Sequence, residues 1–318
     1  MTELLPGLHQ IEQILGPRYL FQYLLVGERS MLIDTGIATS PDEYILPYFK
    51  EIGFDPTNLD YIVISHADVD HFGGNARMRE VAPRSILACH QLDAPWVGDR
   101  LRILRERYGW FRQFGMDYPP DVAIWLNEAL GADVRIDLEL SGNEIFRLAD
   151  ERPVRVLHLP GHSDGHIGLY DEANKAVIII DAILWKGLLD MQDVIISPPP
   201  YSSIQAYLDG IDLVLALDFE HLYTAHYANM SGQAARQFLE ESKAYVQHCH
   251  ETVADVLKAT GRPMVLAEVY QAVDQKLGPY TAFALELAKP VYAHLEQLAA
   301  EGRAVRAQSG DQPTWQAN

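Results

Sequence analysis

Within fourteen residues, "YIVISHADVDHFGG" (61–74) joins two kinds of structure. Tyr61 to Ile64 are β-branched or aromatic, so they read as a short buried strand. His66, Asp68, Asp70 and His71 follow at once, and a helix is expected from about Asn75. In extended chain, residues 66, 68 and 70 point the same way, and His71 turns in as the helix begins. A strand ending like this commits the chain to an α/β unit, with four ligand-type side chains gathered on the loop. A solvated acidic loop also produces such strings, so the rest of the chain has to decide.

Short apolar runs alternate with helical patterns on either side. "YLFQYLLVGERSMLIDTG" reads as two strands turning at Gly27-Glu28-Arg29 and ended by Gly36. "SPDEYILPYFKEIGF" has helical spacing, with Ser40 or Asp42 as cap and Gly53 as stop. "SILACH" is a further strand, followed by an insert over about 95–140 and strands near 144–157. "KAVIIID" and "HLYTAH" read as strands with a helix over 203–216 between them. This alternation predicts sheets with helices packed outside. From about residue 231 the pattern changes to one long amphipathic helix broken by Gly261 and Pro263, then two shorter helices. "RAVRAQSGDQPTWQ" has the form of a hairpin turning at Ser309-Gly310-Asp311.

Three further ligand-type residues stand at strand ends: His162 in "LHLPGHSDGHIG", Asp181 in "IIIDAIL" and His226 in "LYTAHY". Such edges are where loops build sites on a rigid scaffold. With these seven residues and "LIDTG" at 32–36, the chain resembles the metallo-β-lactamase superfamily over roughly residues 8–230. The resemblance implies an α/β fold, a four-layer αβ/βα sandwich holding one or two metals at one edge. It implies that His66, Asp68 and His162 hold one metal, that Asp70, His71 and His226 hold the other, and that Asp181 bridges them. Two ions about 3.5–4 Å apart share a hydroxide, lower its pKa toward 7 and clamp the oxyanion formed when it attacks a carbonyl or phosphoryl centre. Asp70 is the candidate catalytic residue, orienting that hydroxide. Asp34 is placed to hydrogen-bond a ligand from behind.

The chain departs from the superfamily at one position: the usual HxHxDH reads HxDxDH here, with Asp68 for the second histidine. A carboxylate adds charge and hardens the site, favouring iron or manganese more than an all-histidine site does. Carboxylate is also an ordinary zinc ligand, so two zinc ions are expected first, with iron or manganese as alternatives. The di-iron redox branch has glutamate at this place, although its flavodoxin domain has no counterpart here.

Substrate is the least legible feature, because this fold hosts thioesterases, lactonases, nucleases and redox proteins alike. The insert carries Trp110 and Phe114 among several aromatics, which either roof the site or pack as a helix face. A second candidate wall follows Asp181 and holds Trp185, Met191 and Tyr201. His166 either reaches substrate or braces its loop. "HCH" at 248–250 lies in helix, where neighbours two apart diverge, so it is incidental. Cys89-His90 reads as the end of a buried strand.

The formal charge of −19, from 44 acidic and 25 basic residues, repels polyanions and favours a small-molecule substrate over nucleic acid. Residues 231–318 resemble the winged-helix appendix of one hydrolase branch, giving a catalytic domain over 1–230 and a winged-helix-like domain over 231–318. That segment holds 8 basic against 10 acidic residues, and its third helix offers Lys289 alone, so packing or a homodimer contact is expected rather than nucleic-acid binding. The N-terminus lacks the pattern of a secretory signal and no apolar run approaches a membrane span, so a cytoplasmic protein without a membrane partner is expected. The function expected is a metal-dependent hydrolase of a small ester, lactone or thioester. The alternatives are a phosphodiesterase or ribonuclease, and a non-hydrolytic di-iron oxidoreductase or metal-based ligand-binding protein.

Overall fold

The computed structural model describes residues 2–318, apart from the side chain of Ser309. The first third folds into a sheet of β1 (Thr2–Leu5), β2 (Leu8–Leu15), β3 (Arg18–Val26), β4 (Ser30–Ile33), β5 (Tyr61–Ile64), β6 (Ile86–His90) and β7 (Leu138–Leu140), adjacent in that order. β1 to β4 are antiparallel hairpins, whereas β4 to β7 are parallel. Parallel pairs require crossovers. These are α1 (Leu46–Glu51), then α2 (Val69–Phe72) with α3 (Asn75–Val81), then the insert with α4 (Ala94–Val97), α5 (Arg100–Glu106) and α6 (Pro120–Ala129). Ser40 stands where a cap is expected, but its hydroxyl accepts the Ile37 N–H instead of a helical one.

The second sheet contains β8 (Ile145–Ala149), β9 (Arg152–His158), β10 (Ile167–Asp171) and β11 (Ala176–Ile180). A small hairpin, β12 (Leu188–Leu189) and β13 (Ile195–Ser197), and α7 (Ile204–Leu215) precede the remaining strands, β14 (His221–Thr224) and β15 (Met230–Ser231). Their order is β15-β14-β11-β10-β9-β8. β11 shows how sequence sets the layers: Ala176, Ile178 and Ile180 face the first sheet, while Val177 and Ile179 face α7. Met31, Ile33 and Val63 oppose them across the sheet interface, and Leu32, Ile62 and Ile64 turn outward onto Tyr48, Phe49 and Met78. The result is the helix–sheet–sheet–helix sandwich that the resemblance implied.

The chain then forms α8 (Gly232–Thr260), stopped by Gly261 at φ 64, a left-handed conformation that glycine adopts without steric cost. β16 (Met264–Val265), α9 (Leu266–Leu277), α10 (Ala288–Ala300), β17 (Ala304–Ser309) and β18 (Gln312–Ala317) follow, with sheet order β16-β18-β17. Val253 and Val256 of α8 join Val269, Val291, Leu295 and Trp315 in a core that runs on under the insert and the first sheet. Trp110 and Phe114 belong to that core. Their rings lie 5.6 and 5.4 Å from Tyr292 of α10. Among the described residues, no helix is long and apolar enough to cross a membrane.

Candidate metal centre

The predicted ligands meet at one edge of the sandwich, His66 and Asp68 from the loop after β5, Asp70 and His71 from α2, and His162, Asp181 and His226 from the segments after β9, β11 and β14. Facing ligand atoms of His66, Asp68 and His162 lie within 4.8 Å of one another, as do those of Asp70, His71 and His226, and those of His66, His71 and Asp181. All but Asp68 are buried, and Asp68 is nearly so.

The histidine rings are oriented from behind. His71 Nδ1 lies 2.8 Å from Asp34 Oδ2, and that carboxylate also accepts from the Ser65 amide and hydroxyl at 2.8 Å each. The Ser65 hydroxyl, having given its proton to Asp34, accepts from His66 Nδ1 at 3.0 Å. His162 Nδ1 donates to Pro200 O at 3.0 Å and His226 Nδ1 to Tyr19 O at 2.7 Å. With every Nδ1 spent on an acceptor, each ring presents Nε2 to the cluster. His66 Nε2, His71 Nε2 and Asp181 Oδ1 are buried and have no hydrogen-bond partner among the described residues. Buried polar atoms are rarely left so, and their convergence with carboxylates fits a bound cation.

The electrostatics agree. Burial acts most strongly on His71 and opposes its charging, yet Asp181, Asp70 and Asp34 together raise it well above the usual histidine range. Burial also opposes ionisation of Asp181, but His226 and His71 hold its carboxyl well below the usual range. His166 is fully buried with its ring 4.5 Å from that of His66, and neither nitrogen has a partner among the described residues. Burial, with His66 and His162 beside it, pushes its pKa well down and keeps the ring neutral.

Several residues at the centre carry no recognisable signal in the sequence. Asp93 joins the two ligand loops, accepting from Ala67 N at 2.8 Å, Ser163 Oγ at 2.7 Å and Gly165 N at 2.9 Å. Arg18 Nη2 donates to Asp70 Oδ2 at 2.9 Å. Arg107 Nη2 lies 3.0 Å from both oxygens of Asp68, and Tyr108 OH donates to Oδ1 at 3.2 Å. Each loop aspartate is thus met by a buried arginine. Asp93 stands one turn beyond a buried strand, a place where caps occur; nothing in the spacing distinguishes the two arginines.

A narrow cavity of about 60 Å³ opens over the cluster, walled by Trp125, Leu126, Leu184, Leu188, Pro200 and Phe283, with Arg18 and Tyr108 as polar members. A groove of about 260 Å³ adjoins it, sharing Arg18, Trp125 and Phe283 and adding Leu15, Pro17 and Val122. None of the five residues expected as walls lines this cavity or groove, although Trp110 borders a separate cavity of about 310 Å³ together with His162 and Arg107. Trp110 and Phe114 are committed to the core with α10, because the C-terminal elements cover the insert. Trp185 donates from Nε1 to Glu241 at 2.9 Å, Met191 lies on the surface, and Tyr201 is buried with its hydroxyl 2.7 Å from His294 Nε2. The helical pair around Cys249 is no ligand set: His250 is bonded to His294 and Glu301.

Known proteins share this architecture. A family model described as the metallo-beta-lactamase superfamily matches residues 15–226. A solved metallo-beta-lactamase family protein from Thermus thermophilus superposes with a TM-score of 0.75, covering 99% of this chain and 100% of its own at 21% identity, a likeness of fold. Acyl-coenzyme A thioesterase MBLAC2 of Gallus gallus is 29% identical over 205 residues, 60% of this chain and 64% of the thioesterase. Flavo-diiron protein FprA2 of Clostridium acetobutylicum is 42% identical over 62 residues, 20% of this chain and 15% of that protein. The chain spans less than two thirds of the length of either of these two relatives.

Proposed function

The chain belongs to the metallo-β-lactamase superfamily, and from that premise we propose that it is a metal-dependent hydrolase of a small ester, thioester or lactone with an apolar acyl part. The observation that carries this reading is the apolar wall set directly over the ligand cluster and continued by the groove beyond Trp125 and Phe283. The thioesterase similarity supports the same bond class.

Members of the superfamily bind divalent metals, usually two. His66, Asp68 and His162 would hold one ion, Asp70, His71 and His226 the other, and Asp181 would stand between them, with zinc the first choice. Such ions supply Lewis acidity, which activates a water and stabilises developing negative charge. The chain's own part is positioning. Arg18 is fixed by Asp70 and by the Phe283 ring 5.5 Å from its guanidinium carbon, and its buried Nε–H has no partner among the described residues. Arg18 lines both the cavity and the groove, so its guanidinium would meet a carbonyl or carboxylate oxygen of a substrate entering there. Trp125 and Phe283, 5.7 Å apart, exclude water from the acyl side.

Purified, metal-loaded protein should turn over some members of a panel of aryl esters, thioesters and lactones, and Asp181→Ala and His162→Ala should abolish that turnover. A wild type that binds two metals and hydrolyses nothing on the panel would sink the proposal.

A second reading, a non-hydrolytic di-iron protein, is favoured by the carboxylate at Asp68 and by the flavo-diiron match. Iron content and visible absorbance of protein purified without oxygen separate the two. Nucleic-acid cleavage has less support, because Lys289, the one cation of the third C-terminal helix, is buried against Glu286.

A further inference from the structure

Asp68 is the end of a buried chain of alternating charge. Arg107 Nη2 sits 3.0 Å from its two oxygens, and Arg107 Nη1 donates to Glu286 at 3.2 and 3.3 Å. Glu286 also accepts from Tyr118 OH, and Lys289 Nζ lies 3.5 Å from it. The residues come from three places: the ligand loop, the insert, and the segment entering α10. Taken together, Asp68, Arg107, Glu286 and Lys289 carry no net charge. Tyr108 reinforces the arrangement, since its hydroxyl also accepts the Val69 N–H at 3.0 Å. The effect on Asp68 is specific. Arg107 reaches both oxygens and Tyr108 adds a second donor to Oδ1, while Oδ2 is the oxygen turned to His162 Nε2 at 2.8 Å and His66 Nε2 at 3.7 Å.

We propose that Arg107, held by Glu286, is a positioning residue that turns Asp68 into a charge-compensated stand-in for the neutral histidine of related sites. The C-terminal region thereby sets metal affinity at the first ligand group without contributing a ligand. A neutral imidazole at position 68 would leave Arg107, Glu286 and Lys289 with one net positive charge beside a dication. The same imidazole without Arg107 would face no net charge. Replacing the aspartate by the commoner histidine is therefore harmful while Arg107 is present, and harmless once it is gone.

This rests on the cluster being a metal centre, and the experiment keeps the two claims apart. Zinc and manganese binding to the full chain is measured at about pH 7 by competition with a chromophoric chelator, with stoichiometry from elemental analysis. Asp68→His should weaken one of two sites by about tenfold or more, the range typical of residues that support ligands. Asp68→His with Arg107→Met should recover most of that loss. Two near-isosteric changes at the far end of the chain test the charge logic where folding is least at risk. Glu286→Gln should weaken the same site, whereas Lys289→Met should hold or strengthen it. A purely structural role for these residues weakens both. Two sites of normal affinity in Asp68→His, no recovery in the double variant, or parallel losses in Glu286→Gln and Lys289→Met would each overturn the inference. A wild type that binds no metal overturns the metal centre itself, and this inference with it.

Discussion

Gly165 and Asp93 are fitted so closely that a Cβ on the glycine would lie 2.6 Å from Asp93 Oδ1 and 2.7 Å from the Asp93 amide nitrogen. The aspartate is fully buried and ties the loop of His66 and Asp68 to the loop of His162 through Ala67, Ser163 and Gly165. Asp93→Ala strands two buried amide hydrogens, each costing about 1–3 kcal/mol. Urea unfolding of chelator-treated protein should show a loss of roughly 2–5 kcal/mol. Gly165→Ala should move in the same direction, because the backbone it meets has no flexible end to withdraw. A change within about 0.5 kcal/mol, ordinary for a surface site, would show that the loops are held independently.

The unequal legibility of the molecule has a physical origin in how far each feature reaches along the chain. His66, Asp68, Asp70 and His71 share one loop, and His162, Asp181 and His226 each end an apolar run, so local pattern suffices to find them. Strand alternation in β11 likewise encodes which face meets which layer. β10 escapes a reading of the sequence because Ile167 to Asp171 includes Gly168 and ends in Asp171, residues depleted in strands, so only three of its five positions carry strand-type side chains. The cavity walls are illegible for a different reason. Phe283 and Glu286 reach the site from a segment more than a hundred residues beyond the insert, and the contacts that bury Trp110 and Phe114 come from α10. Periodicity cannot report a partner that is distant in sequence. Arg18 and Arg107 are invisible on the same ground, since each acquires its role only when a remote carboxylate arrives.

Asp34 adopts φ 63, a region that asparagine also tolerates, so Asp34→Asn should preserve the backbone. What changes is the proton on His71. The carboxylate accepts from His71 Nδ1 and twice from Ser65, whereas an amide has a single acceptor oxygen and turns donors toward one of these partners. A ring forced to carry its proton on Nε2 cannot ligate. Metal affinity should fall by about 10- to 100-fold, read by chelator competition, while the far-ultraviolet dichroism stays that of the wild type. Unchanged affinity would remove Asp34 from the support of the centre.

Trp125 and Phe283 separate the cavity over the ligands from the outer groove. If acyl chains pass between them, Phe283→Ala should raise kcat/KM for long-chain aryl esters relative to acetyl esters by about tenfold or more, tenfold being the low end of the 1–3 kcal/mol that a pocket contact is worth. The ratio across a series of chain lengths is the informative measurement, because it cancels any common loss from altered folding or metal content. An equal change for all lengths would place the acyl group elsewhere.

Lys289 gives a pH signature in the protein without metal. Burial, aided by Arg107 and opposed by Glu286, pushes its ammonium down from the ordinary 10.5 to about 8. Between these values the unfolded chain holds the proton and the folded chain releases it, so this group's contribution to stability rises with pH across about 8 to 10.5. Below about 8 the buried charge costs the fold on the order of 3 kcal/mol. Lys289→Met removes that cost together with the contacts to Glu286 and to the Phe111 ring 5.4 Å away. The variant should therefore be the more stable protein at about pH 7, and its advantage should shrink as pH approaches 10. Comparing the two proteins at each pH cancels the other lysines and tyrosines that titrate in the same range. An advantage that stayed constant with pH would mean that the Lys289 ammonium is no harder to charge in the fold than in the unfolded chain.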